Sequence, residues 1–255
     1  MITDAYSKEP SGVLTAAMCY EQGSDHFDTL ILTFSEPLIQ QLVKDGSITP
    51  SNDVLGSING DSIIYRCKDE AHTAIVKIGI GAPRAVCNCE ELVQITGAKH
   101  FIAIGSCGSL NSEISAGKVI IPTRSWRDEG TSYHYVPASD WIEMKNAAKL
   151  QALFEQWHVS CVTGPAWTTD ALYRETPDAV AKHQKDGCIA CDMECSALQA
   201  WADFAGQDFY TFFYSADALE ESNWDPRILM NSGELDPARA LYSLAVQTAK
   251  EISKD

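Results

Sequence analysis

The chain has 255 residues, 45% of them apolar. That is enough for a full core in one large domain or two small ones. A formal charge of −16 repels nucleic-acid backbones and anionic membranes, which argues against polymer and membrane partners and obliges any small anionic substrate to find its own local positive site.

No apolar run reaches bilayer-spanning length. The start, MITDAYSKEPSG, lacks the basic-then-apolar pattern of a signal peptide, so a cytoplasmic location is expected. The nine cysteines are odd in number, and several (Cys87, Cys107, Cys161, Cys188) lie in apolar runs. They read as reduced, buried thiols.

In chain order, Asp28–Thr33 reads as a strand, and Glu36–Lys44 follows with helical spacing and a proline near its start. Ser62–Arg66 and Thr73–Ile78 read as a strand pair. The chain turns between Ile80 and Pro83. Arg84–Thr96 is then a helix with Val86, Cys89, Val93 and Thr96 on one face, stopped by Gly97. His100–Ile104 is a strand, and Gly105-Ser106-Cys107-Gly108 after it reads as a loop of free backbone N–H groups suited to an anion. Strands are expected at Lys118–Pro122, His158–Thr163, Gly187–Asp192 and Asp208–Tyr214, and helices at Met193–Ala205 and Pro237–Ser253. The last carries Leu241, Leu244, Ala245 and Ala249 on one stripe. No repeat or linker interrupts the pattern. The expectation is a single α/β domain over residues 1–255, a mostly parallel central mixed sheet with helices on both faces. In such folds ligands sit at strand C-termini, which would gather the GSCGSL, CDMEC and YSADAL segments on one rim.

Several familiar sites are absent. Arg84 stands where a dinucleotide fingerprint beginning at Gly79 needs its third glycine, and Ser115–Lys118 lacks the flanking residues of a phosphate-binding loop. Cys188, Cys191 and Cys195 have no second cysteine pair at zinc spacing, and strand alternation would send Cys188 and Cys191 to opposite faces. No metal site is expected. Asp192 and Glu194 flank Met193 where a buried strand meets a helix. Carboxylates there either favour the helix N-terminus or accept paired hydroxyls. Asp217, after the strand FYTFFY, is a turn former or a proton donor tuned by burial. The segment Trp126–Tyr135 mixes charge, hydroxyls and aromatics, as binding loops and subunit interfaces both do.

In sequence order, GIGAP followed by Glu90-Glu91-Leu92, then IGSCGSL, GKVIIP, RDEGTSYHY, TTDALY, DMECSA and SAD resemble the nucleoside phosphorylase superfamily, in particular its uridine and hexameric-type purine phosphorylases. The resemblance runs from about Leu30 to the C-terminal helix. It implies cleavage of a nucleoside's N-glycosidic bond through an oxocarbenium-like transition state, with phosphate as co-substrate and no other cofactor, by a homo-oligomer (dimer or hexamer). By position, Met193 would pack on the ribose and Glu194 take its 2′ and 3′ hydroxyls. Gly105, Ser106, Cys107 and Gly108 would face phosphate. Asp217 matches the acid that purine-type members use at the base.

The departures concern phosphate. An arginine expected two residues before Gly105 is Ala103. The glycine and arginine of a second phosphate turn are Ser35 and Ile39, with Glu36 between them. The base-reading Gln and Arg of uridine phosphorylases fall on Thr176 and Asp178, and the N-terminal histidine is missing, the first being His26. Arg84, Arg127, Arg174 and Arg227 are the candidate replacements, with Arg127, Thr169, Arg174 and Arg227 as possible base or phosphate contacts. A pentosyltransferase that releases pentose 1-phosphate leads the expectations. A nucleoside hydrolase and a non-catalytic nucleoside or base binder are the alternatives.

Overall fold

In the computed structural model, which describes residues 1–56, 60–220, 223–229 and 232–254, strands and helices alternate. The strands are β1 (Thr29–Thr33), β2 (Ile48–Leu55), β3 (Ser62–Cys67), β4 (Thr73–Lys77), β5 (His100–Ser109), β6 (Val119–Asp128), β7 (Trp141–Glu143), β8 (Cys161–Thr169), β9 (Ala190–Asp192), β10 (Asp208–Glu220) and β11 (Asn223–Asp225). The helices are α1 (Ala16–Cys19), α2 (Glu36–Lys44), α3 (Ala82–Thr96), α4 (Ser112–Ser115), α5 (Ser132–Tyr135), α6 (Ala147–Gln156), α7 (Pro177–Lys185), α8 (Cys195–Ala205) and α9 (Leu235–Ile252).

The strands form one mixed sheet in the order β11-β10-β6-β8-β9-β5-β1-β4-β3-β2, with β7 on β6. Its centre, β4-β1-β5-β10, is parallel, as is β6-β8-β9. Antiparallel pairings join the two groups and finish the edges. Because β10 pairs with β5 as well as β6, the strands β10, β6, β8, β9 and β5 close into a ring. The sheet is therefore more curled than an open doubly wound one, and its strand ends converge.

The central strands are apolar because neighbours cover both faces. Leu30, Ile31, Leu32, Ile75, Val76, Phe101 and Ile102 are fully buried. Helix α2 starts where the Ser35 hydroxyl accepts the Leu38 N–H at 3.2 Å, with Pro37 in the first turn. Helix α3 ends at Gly97, whose φ of 73° is left-handed. Helix α8 packs Trp201 edge-on to Phe101, ring centroids 4.9 Å apart. No helix among the described residues is long and apolar enough to cross a membrane.

Three sequence expectations change. Strands β5, β6, β8 and β10 run well past their apolar stretches, because pairing with neighbours, not apolar content, sets their ends. Gly105–Gly108 in particular is not a loop: it is strand, paired with β10 from Phe213↔Gly105 to Asp217↔Gly108. Cys87 is exposed, not buried, since it lies off the Val86–Cys89 face of α3. Cys188 and Cys191 share one small apolar cluster with Leu110, Trp167 and Val180, because β9 begins only at Ala190 and strand alternation does not reach Cys188. Strands β2 and β7 and helices α6 and α7 had no clear apolar period; β2 is exposed at four of its eight positions and contains Pro50.

Trp201 is fully buried, so Trp201→Ala is expected to cost about 3–5 kcal/mol through the cavity it leaves, read as a lowered urea midpoint against the unsubstituted chain.

Candidate active site

The turn between β9 and α8 carries two buried carboxylates with opposite tasks. Asp192 accepts the Thr168 hydroxyl at 2.7 Å on one oxygen, and the backbone N–H groups of Glu194 (2.9 Å) and Cys195 (2.6 Å) on the other. It caps α8. Burial raises its pKa to about 6 against the lowering effect of these donors. The helix-terminus reading thus applies to Asp192.

Glu194 behaves differently. It sits at the N-cap position of α8, but its side chain makes no cap hydrogen bond. It reaches instead to the turn before α3 and accepts the Gly81 N–H at 2.6 Å. Burial, then the neighbouring Asp192 charge, lifts its pKa to about 8, against the N–H groups of Gly81 and Met193. Half-buried Met193 stands between the two carboxylates.

Asp217 lies on the same rim. A register shift between Ser215 and Asp217 interrupts the β10–β5 ladder and re-aims the side chain, as bulges do. The strand runs on to Glu220, so Asp217 is within it and not at its end, as first expected. One Asp217 oxygen accepts the Trp224 indole N–H at 2.7 Å. The other would lie 3.5 Å from a methyl group placed on Gly108, which Leu219 would crowd more closely at 3.0 Å, so Gly108 fits tightly between Leu219 and the acid. Burial raises the Asp217 pKa, while the Trp224 bond and the Arg227 charge oppose it. Gly108 pairs on its other side with Cys191, whose thiol donates to Glu175 at 3.4 Å. Burial raises half-buried Glu175 to about 7, and the Asp217 charge adds to the rise. Glu175 was missed by sequence reasoning; its polar surroundings in YRETPD gave no sign that it turns inward.

The expected anion cradle is rebuilt. Strand β1 leaves β5 at Ile104 and β9 joins it at Gly108, so one edge of Gly105–Cys107 has no strand partner. Phe34 lies over it: its ring would come within 3.2 Å of a methyl on Gly105. Ser106 is exposed and its hydroxyl bonds Tyr214, whereas Cys107 is buried. Ala103 and Ile39 are both core residues. Glu36 is ion-paired with Lys77 at 2.8 Å.

The candidate arginines are spread over several segments. Arg127 is buried and fastens its own loop, donating to Ser132 (2.8 Å), the Pro137 carbonyl (2.9 Å) and Ser139 (3.0 Å), with Tyr133 stacked on it. Arg174 is exposed on a short 3-10 turn. Arg227 donates to Ser215 at 2.9 Å, the residue paired with Cys107, and its charge also acts on Asp217. Thr169 is buried and accepts the Ala171 N–H at 3.2 Å. The stem of Arg84 covers Gly79. Thr176 and Asp178, which stand where uridine phosphorylases have their base-reading Gln and Arg, lie at the start of α7, where Thr176 accepts the Ala179 N–H at 3.4 Å as the cap. Among the described residues no group of three or more His, Cys, Asp or Glu side chains is arranged to hold a metal ion.

A family model described as "Phosphorylase superfamily" matches residues 29–239. The chain is similar to a guanosine phosphorylase of Halorubrum lacusprofundi, 30% identical over 55% of this chain and 58% of that one. It is also similar to a DeoD-type purine nucleoside phosphorylase of Bacillus cereus, 28% identical over 61% and 66%. The match thus spans about three-fifths of the length of these relatives. Among solved structures, an AMP nucleosidase from Bacteroides thetaiotaomicron shares the fold, with a TM-score of 0.67 at 16% identity over 90% of this chain and 91% of that one.

A carboxyl held protonated in the folded chain but ionised in the unfolded one destabilises the fold as pH climbs from about 4.5 through the folded value. Glu194 does so up to about pH 8. Glu194→Gln, which keeps an acceptor for Gly81, is expected to raise the melting temperature at pH 8, leave it nearly unchanged at pH 4.5, and flatten the decline between them in a thermal scan.

Proposed function

Because this chain belongs to the phosphorylase superfamily, we propose that it is an enzyme that cleaves the N-glycosidic bond of a purine nucleoside, with Glu194 gripping the ribose, Met193 packed against the sugar and Asp217 supplying the proton to the departing base. The observation that carries this reading is the convergence on one rim of a buried acceptor, Glu194 at the start of α8, and a raised-pKa acid, Asp217 of β10. An ionised Glu194 accepts both ribose hydroxyls. As positive charge grows on the ribose, the base leaves as an anion unless it is protonated, and an acid of raised pKa lowers that barrier. The names of the two sequence relatives, guanosine phosphorylase and purine nucleoside phosphorylase, support a purine.

For the nucleophile, the geometry favours water. Phosphate needs guanidinium partners, each charge-assisted bond being worth about 1.5–3 kcal/mol. Here the two arginine positions are the core residues Ala103 and Ile39, and Phe34 lies over Gly105. Residues Gly105–Gly108 then line the space under the sugar rather than grip an anion. Phosphorolysis is the second reading, favoured by the relatives' names. The fold neighbour's name, AMP nucleosidase, is that of a related protein that acts on a nucleotide. A homo-oligomer located in the cytoplasm, acting on small molecules without a cofactor, completes the proposal.

A panel of purine and pyrimidine nucleosides, run with and without phosphate and followed by chromatography of free base and sugar, tests this. Base release at equal rates in both is the expected result. Release that requires phosphate, with pentose 1-phosphate as product, would install the second reading. No release would remove the enzymatic one. Asp217→Asn is expected to slow purine release about 10²–10⁴-fold, the usual worth of general-acid catalysis, with a far smaller change in nucleoside affinity; equal losses in both would argue against the acid role.

A further inference from the structure

The carboxylate of Glu194 is only as well placed as the turn it leans on. That turn, Gly79-Ile80-Gly81, runs from β4 into α3, and Gly81 adopts a φ of 96° that a side chain would disfavour. The turn is tied down from inside α3. The Gly79 N–H donates to Asn88 Oδ1 at 3.1 Å, and Asn88 Nδ2 donates to Glu91 Oε2 at 2.9 Å. The hydroxyl of Tyr20, in the segment before β1, lies 3.1 Å from Glu91 Oε1 and 2.8 Å from the Gly56 carbonyl, sharing its proton between them.

Asn88 is 1% exposed. A backbone N–H can only donate and a carboxylate only accept, so one orientation of the amide satisfies both neighbours and its flip satisfies neither. A leucine or alanine would pack in the same helix, but would leave the Gly79 N–H and one Glu91 oxygen without partners. An amide of fixed orientation is thus what this position requires.

Resting on the reading of Glu194 as the ribose acceptor, we propose that Asn88 is a positioning residue that holds the Gly79–Gly81 turn so that the Gly81 N–H meets Glu194, with Glu91 and Tyr20 fixing the amide from behind. The consequence is electrostatic as well as steric. Glu194 faces Asp192, Asp170 and the Cys195 thiol, together with the N–H groups of Gly81 and Met193. The charges disfavour its ionised form and the N–H groups favour it. Loosening Gly81 removes one of the two donors, so the ionised, hydroxyl-accepting form of Glu194 becomes scarcer near neutral pH.

The test compares the full chain with Asn88→Ala, and with Asn88→Ser if the alanine variant does not fold. A serine hydroxyl in a helix bonds the carbonyl four residues back and does not replace the amide. Two readouts are taken. The first is the pH dependence of kcat/KM for a purine nucleoside. Relative to the unsubstituted chain at the same pH, a loss of about five- to tenfold at pH 7, close to the tenfold change in ionisation that one unit represents, is expected to shrink to within about twofold at pH 9.5, the ratio cancelling the fall that ionisation of Asp217 imposes on both chains. The second is the ¹³C-carboxyl titration of Glu194, assigned by its disappearance in Glu194→Gln, which is expected to move toward alkali without substrate. An equal loss of rate at both pH values, or an unmoved carboxyl titration, would overturn the assignment. A chain that cleaves no nucleoside would overturn the enzymatic reading, and the titration alone would then decide the role of Asn88.

Discussion

The site depends on the burial of the Asp192 carboxylate. Taken out of water, that group would be costly without donors, and it receives three: the Thr168 hydroxyl from the end of β8 and two N–H groups from the first turn of α8. These bonds join the last residues of two strands to the start of one helix. Thr168 in turn lies 2.7 Å from Ser125 of β6 and accepts the Ser196 N–H at 3.1 Å, while Ser196 donates to Glu129 at 2.9 Å. A single network therefore fixes how β6, β8, β9 and α8 meet, and it leaves Met193 and Glu194 projecting at the junction.

Two acids two residues apart, Asp192 and Glu194, thus divide the work. The first is consumed by structure. The second has one strong donor, Gly81, and several negative neighbours, so its ionised form is held at a disadvantage until a ligand brings more donors. Asp217 and Glu175 have the same quality: half-satisfied carboxyls in dry surroundings. Such groups cost stability in the empty protein and are concentrated where chemistry is done.

The surroundings of Gly105 point the other way. Where an anion would need fixed positive charge, the chain places alanine, isoleucine and a phenylalanine ring, and its nearby cation, Lys77, is engaged by Glu36. Of the arginines, Arg127 braces its own loop, while Arg227 lies beside Asp217 on Ser215, the residue paired with Cys107.

By itself the sequence determined the local elements whose apolar period is strong, such as Glu36–Lys44, the α3 face and the C-terminal stripe, because burial on one side imposes that period. It also placed the carboxylates of DMEC at a strand end, and its ordered motifs pointed to the family. Only the tertiary structure decided that Gly105–Gly108 is strand, since backbone pairing comes from β10, more than 100 residues away. The separation of Asp192 from Glu194 was likewise decided in space. Both are acids at one helix start, and nothing local distinguishes them. What does is which donors arrive from distant segments, Thr168 for one and Gly81 for the other. The inward turn of Glu175 and the amide orientation of Asn88 have the same origin: a side chain's role here is set by partners that are remote in sequence.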